Sequence, residues 1–254
     1  MEQGRNQKFA NAIYAALGLL VFFALWQWAG KTGAAGSSLP APSDVAKTLL
    51  DPANLPLLMR SAVYTLISAA KGLVFGSVLA ILLAVVIHLL PPLRPGLDRL
   101  AVIVNAAPPI AIGPILIVVF SRSQTPAVLA GIQVFFLFYV AASSGLTAAS
   151  PSLRRVMAGF GASTWKRLRY LEFPASLPHL ASGLKAAVAA SFLGAILGEW
   201  FGAPHGLGLV ILNAMQNFQI RLMWAAVVVA AAMSLAAFLI AAGLERAVSQ
   251  RFSK

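Results

Sequence analysis

Few residues in this 254-residue chain have types and spacing that could do chemistry. Gly30-Lys31-Thr32 has the ending of a phosphate-binding loop, in which backbone amides cradle phosphates between a strand and a helix. The earlier glycine of such a loop would stand at position 25, where the residue is Leu25, and the segment follows an apolar run. Nucleotide binding is therefore not expected here. His88, His179 and His205 are far apart and lack local ligand spacing, so no metal site is expected. The absence of cysteine excludes disulfides, thiolate metal centres and cysteine nucleophiles. Neither Gly-x-Ser-x-Gly nor His-Glu-x-x-His occurs. The chain reads as a non-enzyme with no catalytic residues and no cofactor of its own.

Polar residues inside apolar runs are costly in hydrocarbon, and so are functional candidates by default. Asn105 precedes Pro108-Pro109 in one such run. Prolines free backbone carbonyls that protein or cavity water must satisfy. That segment either lines a pathway or carries a packing kink. Glu199, near the end of another run, lines the pathway, orders the loop 202–208, or sits in interfacial water. Gln133 faces a helix neighbour or the path. Lys71 either attracts an anion or snorkels to an interface. Trp26, Trp28, Trp200 and Trp224 stand near run ends, where an aromatic belt accounts for them.

The elements that must position these residues are membrane spans. Apolar residues make up 59% of the chain and charged residues 10%, against about a quarter charged in soluble domains. Runs near the ~20 residues needed to cross hydrocarbon recur. They cover 9–29, 61–90, 100–120, 127–149, 180–201 and 223–244. Pro91-Pro92 ends the second, and Pro108-Pro109 and Pro114 break the third. The first exceeds the roughly 7–15 residues of a signal core, so it is expected to be an uncleaved anchor. Ser43 is placed to cap a short helix with Asp44 in its first turn and Val45, Leu49 and Leu50 on one edge. A single membrane domain over 1–254 is expected, with 1–38 as anchor helix and linker and 150–178 as a polar loop.

The net charge of +12 and pI near 11 would suggest nucleic acid in a soluble chain. Here the bases lie between apolar runs, and no nucleic acid partner is expected. With the N-terminus inside, the inner segments hold Arg5, Lys8, Arg94, Arg99, the cluster Arg154, Arg155, Lys166, Arg167 and Arg169, and Arg246, Arg251 and Lys254. The outer segments hold Lys31, Lys47, Arg60, Arg122 and Arg221. The bias places both termini and the loop 150–178 in the cytoplasm.

That loop reads as two short helices. Ser150 and Pro151 suit a helix start. Leu153, Val156, Met157 and Phe160 recur at helical spacing on one face. Gly159 and Gly161 can end the helix in a left-handed turn. Ser163 can cap a second helix with Trp165, Leu168 and Leu171 on one side, and Pro174 stops it. The pair is either an interfacial hairpin on membrane lipid or a docking element for a cytoplasmic partner.

Gly161, followed ten residues later by Leu171 and then Phe173-Pro174, resembles the cytoplasmic signature loop of bacterial ABC importer permeases. So do the stretch from Gly161 to Arg167, Pro174-Ala175-Ser176-Leu177-Pro178, Gly183-Leu184-Lys185, and Gly206-Leu207-Gly208 after Glu199. Leu39-Pro40-Ala41-Pro42-Ser43 and Pro108-Pro109 resemble the branch that imports nitrate, sulfonates and taurine. The resemblance covers roughly 39–245. The family's Glu-Ala-Ala triplet is here Arg155, Val156 and Met157, and its phenylalanine-glycine pair after Phe120 is Ser121-Arg122-Ser123-Gln124.

The resemblance implies an all-α, type I importer permease of about six spans with a cytoplasmic coupling-helix pair, in a bacterial inner membrane. Leu153, Arg155, Val156, Met157, Phe160, Gly161, Trp165 and Leu168 would then contact an ABC ATPase. Asn105, Pro108, Pro109 and Glu199 become candidates for the translocation path. The implied partners are ATPase subunits that bind the ATP, a second permease copy, and an extracytoplasmic solute-binding protein. A heteroaromatic vitamin precursor is the alternative solute. A stand-alone carrier or channel is the alternative class, and would need ion-coupling acids deep in the bundle.

Overall fold

Backbone amides and carbonyls have no water partner in hydrocarbon, so an apolar chain must satisfy them internally. In the computed structural model every element among the described residues is accordingly helical. The structure describes residues 2–34 and 36–252, with side chains at 7, 11 and from 13 onward within those bounds. Lys254 and the side chains of Arg5 and Lys8 lie outside the described residues.

The helices are α1 (Glu2–Thr32), α2 (Pro42–Leu50), α3 (Leu55–Leu89), α4 (Arg94–Ala106), α5 (Pro109–Val119), α6 (Thr125–Thr147), α7 (Pro151–Gly159), α8 (Thr164–Arg167), α9 (Phe173–Glu199), α10 (Leu207–Gln216) and α11 (Ile220–Phe252). Among the described residues, five helices are long and apolar enough to cross a membrane, or six if the α4–α5 pair counts as one span.

The third apolar run differs from the expected span. It bends by 98° between α4 and α5. Ala107 and Pro108 are both extended, each preceding a proline that disfavours helical geometry in the residue before it. The pieces of 13 and 11 residues are each shorter than the ~20 residues a span requires. Pro114, expected to break the run again, lies inside α5.

Helix α6 is the centre of the bundle, and small residues let its neighbours approach closely. A Cβ added to Gly76 of α3 would stand 2.5 Å from the Gly131 carbonyl oxygen, and one on Gly194 of α9 would stand 2.6 Å from Ala130 Cα. One core, at the α7 end, joins Ile87, Phe138, Leu146 and Leu168. Another, at the opposite end, joins Val45, Leu58, Leu207 and Val210.

Helix α1 is fastened at its C-terminal end. Trp26 donates to the Pro40 carbonyl at 3.0 Å, and Trp224 to that of Ser38 at 2.9 Å. Ser43 does not cap α2: Ala41 is the N-cap. Ser43 instead pairs with Gln27, whose amide donates to its Oγ at 3.0 Å. Val45 is buried, whereas Leu50, expected on the same edge, is exposed.

Candidate functional site

Helix α7 begins at Pro151, with Ser150 at the N-cap position. The Ser150 side chain makes no cap bond there and lies 2.6 Å from Ser152 Oγ. The helix ends as its glycines suggest. Gly161 has φ +71°, its amide donates to the Ala158 carbonyl, and the Ala162 amide donates to that of Met157, both at 2.9 Å. This nested pair satisfies terminal carbonyls through one left-handed residue.

The face predicted to be apolar is open. Phe160 is 87% exposed, Leu153, Val156 and Trp165 are exposed, and Met157 is half-buried. Arg155 is also exposed. Ser163 caps the next turn by accepting from the Lys166 amide at 3.4 Å. Two expectations are corrected. Leu168 is buried in the core and does not share the exposed face. Pro174 does not stop the second helix: a π-helical turn over Leu168–Glu172 joins α8 to α9, and Pro174 follows directly after that turn as the second residue of α9.

The pathway candidates do not converge. Asn105 and Pro108 are exposed on α4 and at the bend, and Pro109 is half-buried. Glu199 is 1% exposed. Its Oε1 accepts from the Thr65 hydroxyl at 2.8 Å and its Oε2 from the Gly208 amide at 2.7 Å. Thr65 Oγ1 in turn accepts from the Leu207 amide at 2.9 Å. Side chains of α3 and α9 thus cap α10, whose N-cap, Gly206, has no side chain of its own. Of the roles that the sequence allowed for Glu199, the contact with the loop 202–208 is the one these bonds make.

Sequence reasoning missed a buried cluster at the α7 end. Glu172 is 3% exposed. Its Oε2 lies 2.6 Å from His88 Nε2, and its Oε1 3.2 Å from Arg154 Nε. The available signal was that Glu172 is the one acid in the basic loop 150–178. Lys185 of α9 and Glu245 of α11 form a further pair at 2.6 Å. Lys71 is exposed on α3. A cavity of about 720 Å³ opens at the far end between the 30–40 linker and the start of α11, and contains none of the four pathway candidates. Among the described residues no group of three or more acids and histidines is placed to hold a metal.

A multi-helix bundle with a short amphipathic helix and a left-handed glycine turn between two spans defines a membrane permease of the type I importer architecture. The chain belongs to the family described as "Binding-protein-dependent transport system inner membrane component", whose profile matches residues 72–254; its members are permeases of ABC importers. A probable ABC transporter permease protein of Haemophilus influenzae is 28% identical, over 85% of this chain and 88% of its own length. The riboflavin transport system permease protein RibX of Chloroflexus aurantiacus is 29% identical, over 90% and 86%. In fold, the chain is similar to one in an inward-facing MetNI methionine ABC transporter, with TM-score 0.70 and 17% identity, over 78% of this chain and 99% of that one.

Proposed function

We propose that this permease moves a small solute into the cytoplasm by alternating access, driven by separate ATPase subunits that dock on α7. In this reading two copies of the chain enclose the path, an extracytoplasmic binding protein delivers the solute, and ATP is bound and hydrolysed only in the partner. Both termini and α7 then face the cytoplasm.

The supporting observation is the open apolar face of α7. Phe160 and Leu153 project from a short helix whose turn is fixed by Gly161. Exposed apolar side chains on a rigid helix suit a groove on a partner, where aromatic anchors carry most of the binding energy. The test is co-purification of the cognate ATPase at matched membrane levels. Phe160→Ser is expected to weaken retention by about ten-fold or more, the scale of a truncated anchor. Because Phe160 is almost fully exposed, the permease's own thermal stability should not move. Normal retention by Phe160→Ser and Leu153→Ser would reject the docking face.

For the solute, motifs at 39–43 and 108–109 favour the small anions of the nitrate and sulfonate branch. The similarity to a riboflavin permease favours a heteroaromatic compound. Mass spectrometry of the molecule carried by the cognate binding protein separates the two. A sulfonate or nitrate supports the first reading, and a ring compound replaces it with the second.

A further inference from the structure

Glu172, Arg154 and His88 meet where four helices converge. Glu172 ends the π-helical turn that starts α9, His88 lies in the last turn of α3, and Arg154 lies in α7. Besides its contact with Glu172, Arg154 donates from a terminal nitrogen to the Leu146 carbonyl, near the end of α6, at 2.9 Å. One buried carboxylate therefore joins α7 to α9 and α3, and one guanidinium joins α7 to α6.

A buried ion pair is a poor device for adhesion alone, because desolvation offsets most of the attraction. What it supplies is a directional connection with a high cost of leaving either charge unpaired. Arg154 faces the bundle, while Leu153, Val156 and Phe160 on the same helix face away from it. Beside the cluster lies a cavity of about 230 Å³, lined in part by His88, Arg94, Thr147 and Arg154, which gives the helix ends room to shift.

We propose that Arg154, Glu172 and His88 form the link through which displacement of α7 reaches α3, α6 and α9. This rests on the docking of an ATPase at α7 argued above. The three are positioning residues: they touch neither solute nor nucleotide.

The test uses the full chain assembled with its ATPase. Because the chain has no cysteine, spin labels can be placed at Ser123→Cys and Asn217→Cys, both exposed at the end opposite α7. Their separation is measured with and without ATP plus orthovanadate. Wild type is expected to shift its distance distribution. Glu172→Gln and Arg154→Met should retain the ATPase, yet lower the ratio of shifted to unshifted molecules by about two- to thirty-fold, the range seen for residues in a coupling network. Arg154→Lys, which keeps the charge, should restore most of the response. If Glu172→Gln fails to accumulate, Arg154→Met, on a side chain 29% exposed, carries the test. Retention with the wild-type shift overturns the link. So does loss of the ATPase by a folded variant, which would make the residue part of the docking. A wild-type chain that never retains the ATPase rejects the docking reading itself, before any variant is made.

Discussion

Glu199 shows how burial changes the meaning of an acid in a membrane protein. Its two oxygens answer the Thr65 hydroxyl and the Gly208 amide, the latter a donor at the start of α10 that has no partner within its own helix. Glu199→Ala would leave the buried Gly208 amide without a partner, at about 1–3 kcal/mol, while the Thr65 hydroxyl still reaches the Ser61 carbonyl at 3.2 Å. The expected result is a lower thermal midpoint with faster hydrogen exchange confined to 207–216; unchanged exchange there would remove the capping role. Gly206 has φ +131°, and a Cβ on it would stand within van der Waals overlap of the Glu199 carboxyl, so Gly206→Ala should reproduce the same exchange pattern. The Lys31–Asp44 pair is the contrast. A hydrogen bond from Lys31 holds the Asp44 carboxyl below its ordinary range. Such a pair contributes above the unfolded carboxyl's pKa and is lost as pH falls through the lower folded value. Solvent screens it, so Asp44→Asn should leave the thermal midpoint at pH 7 nearly unchanged.

At the scale of elements, α7 depends on its terminal turn. Nothing lies within 4 Å of a Cβ built on Gly161, so a substitution there meets only backbone strain. Gly161→Val places a β-branched residue in the left-handed region, at about 1–3 kcal/mol. The spans should still insert, while ATPase retention falls; Gly161→Asn, which tolerates that region better, should retain more. Equal retention by all three chains would mean that the turn does not set the docking geometry. The seam of α6 is less forgiving. A Cβ on Gly194 meets the backbone of Ala130, not a side chain that can swing away. Gly194→Val is expected to force α6 and α9 apart and abolish the folded monodisperse protein on size exclusion; a normal profile would contradict so tight a crossing. The helix starts and stops at Pro91, Pro109 and Gly161 were legible because proline and glycine act on their own backbone. The π-helical turn before Pro174 was not, because it relieves a local proline only in the setting of a longer helix.

For the whole molecule, the charge bias predicts one orientation. Ser37→Cys and Ser152→Cys occupy exposed positions at opposite ends. An impermeant thiol reagent should label Ser37→Cys in intact cells and Ser152→Cys only after permeabilisation; the reverse pattern would invert the topology. The sequence by itself determined that the chain is a bundle of spans, where most of those spans lie, and which helix presents an open apolar face. These follow from run length, composition and local turn chemistry. The tertiary structure alone decided which residues meet. Thr65 and Glu199 are 134 positions apart, and His88 and Glu172 are 84 apart. A helix in hydrocarbon is apolar toward lipid and core alike, so its sequence carries only a weak record of which face meets which neighbour. Glu199 and Glu172 therefore read as isolated acids in the sequence, and only packing of α3 against α9 turned one into a helix cap and the other into a junction.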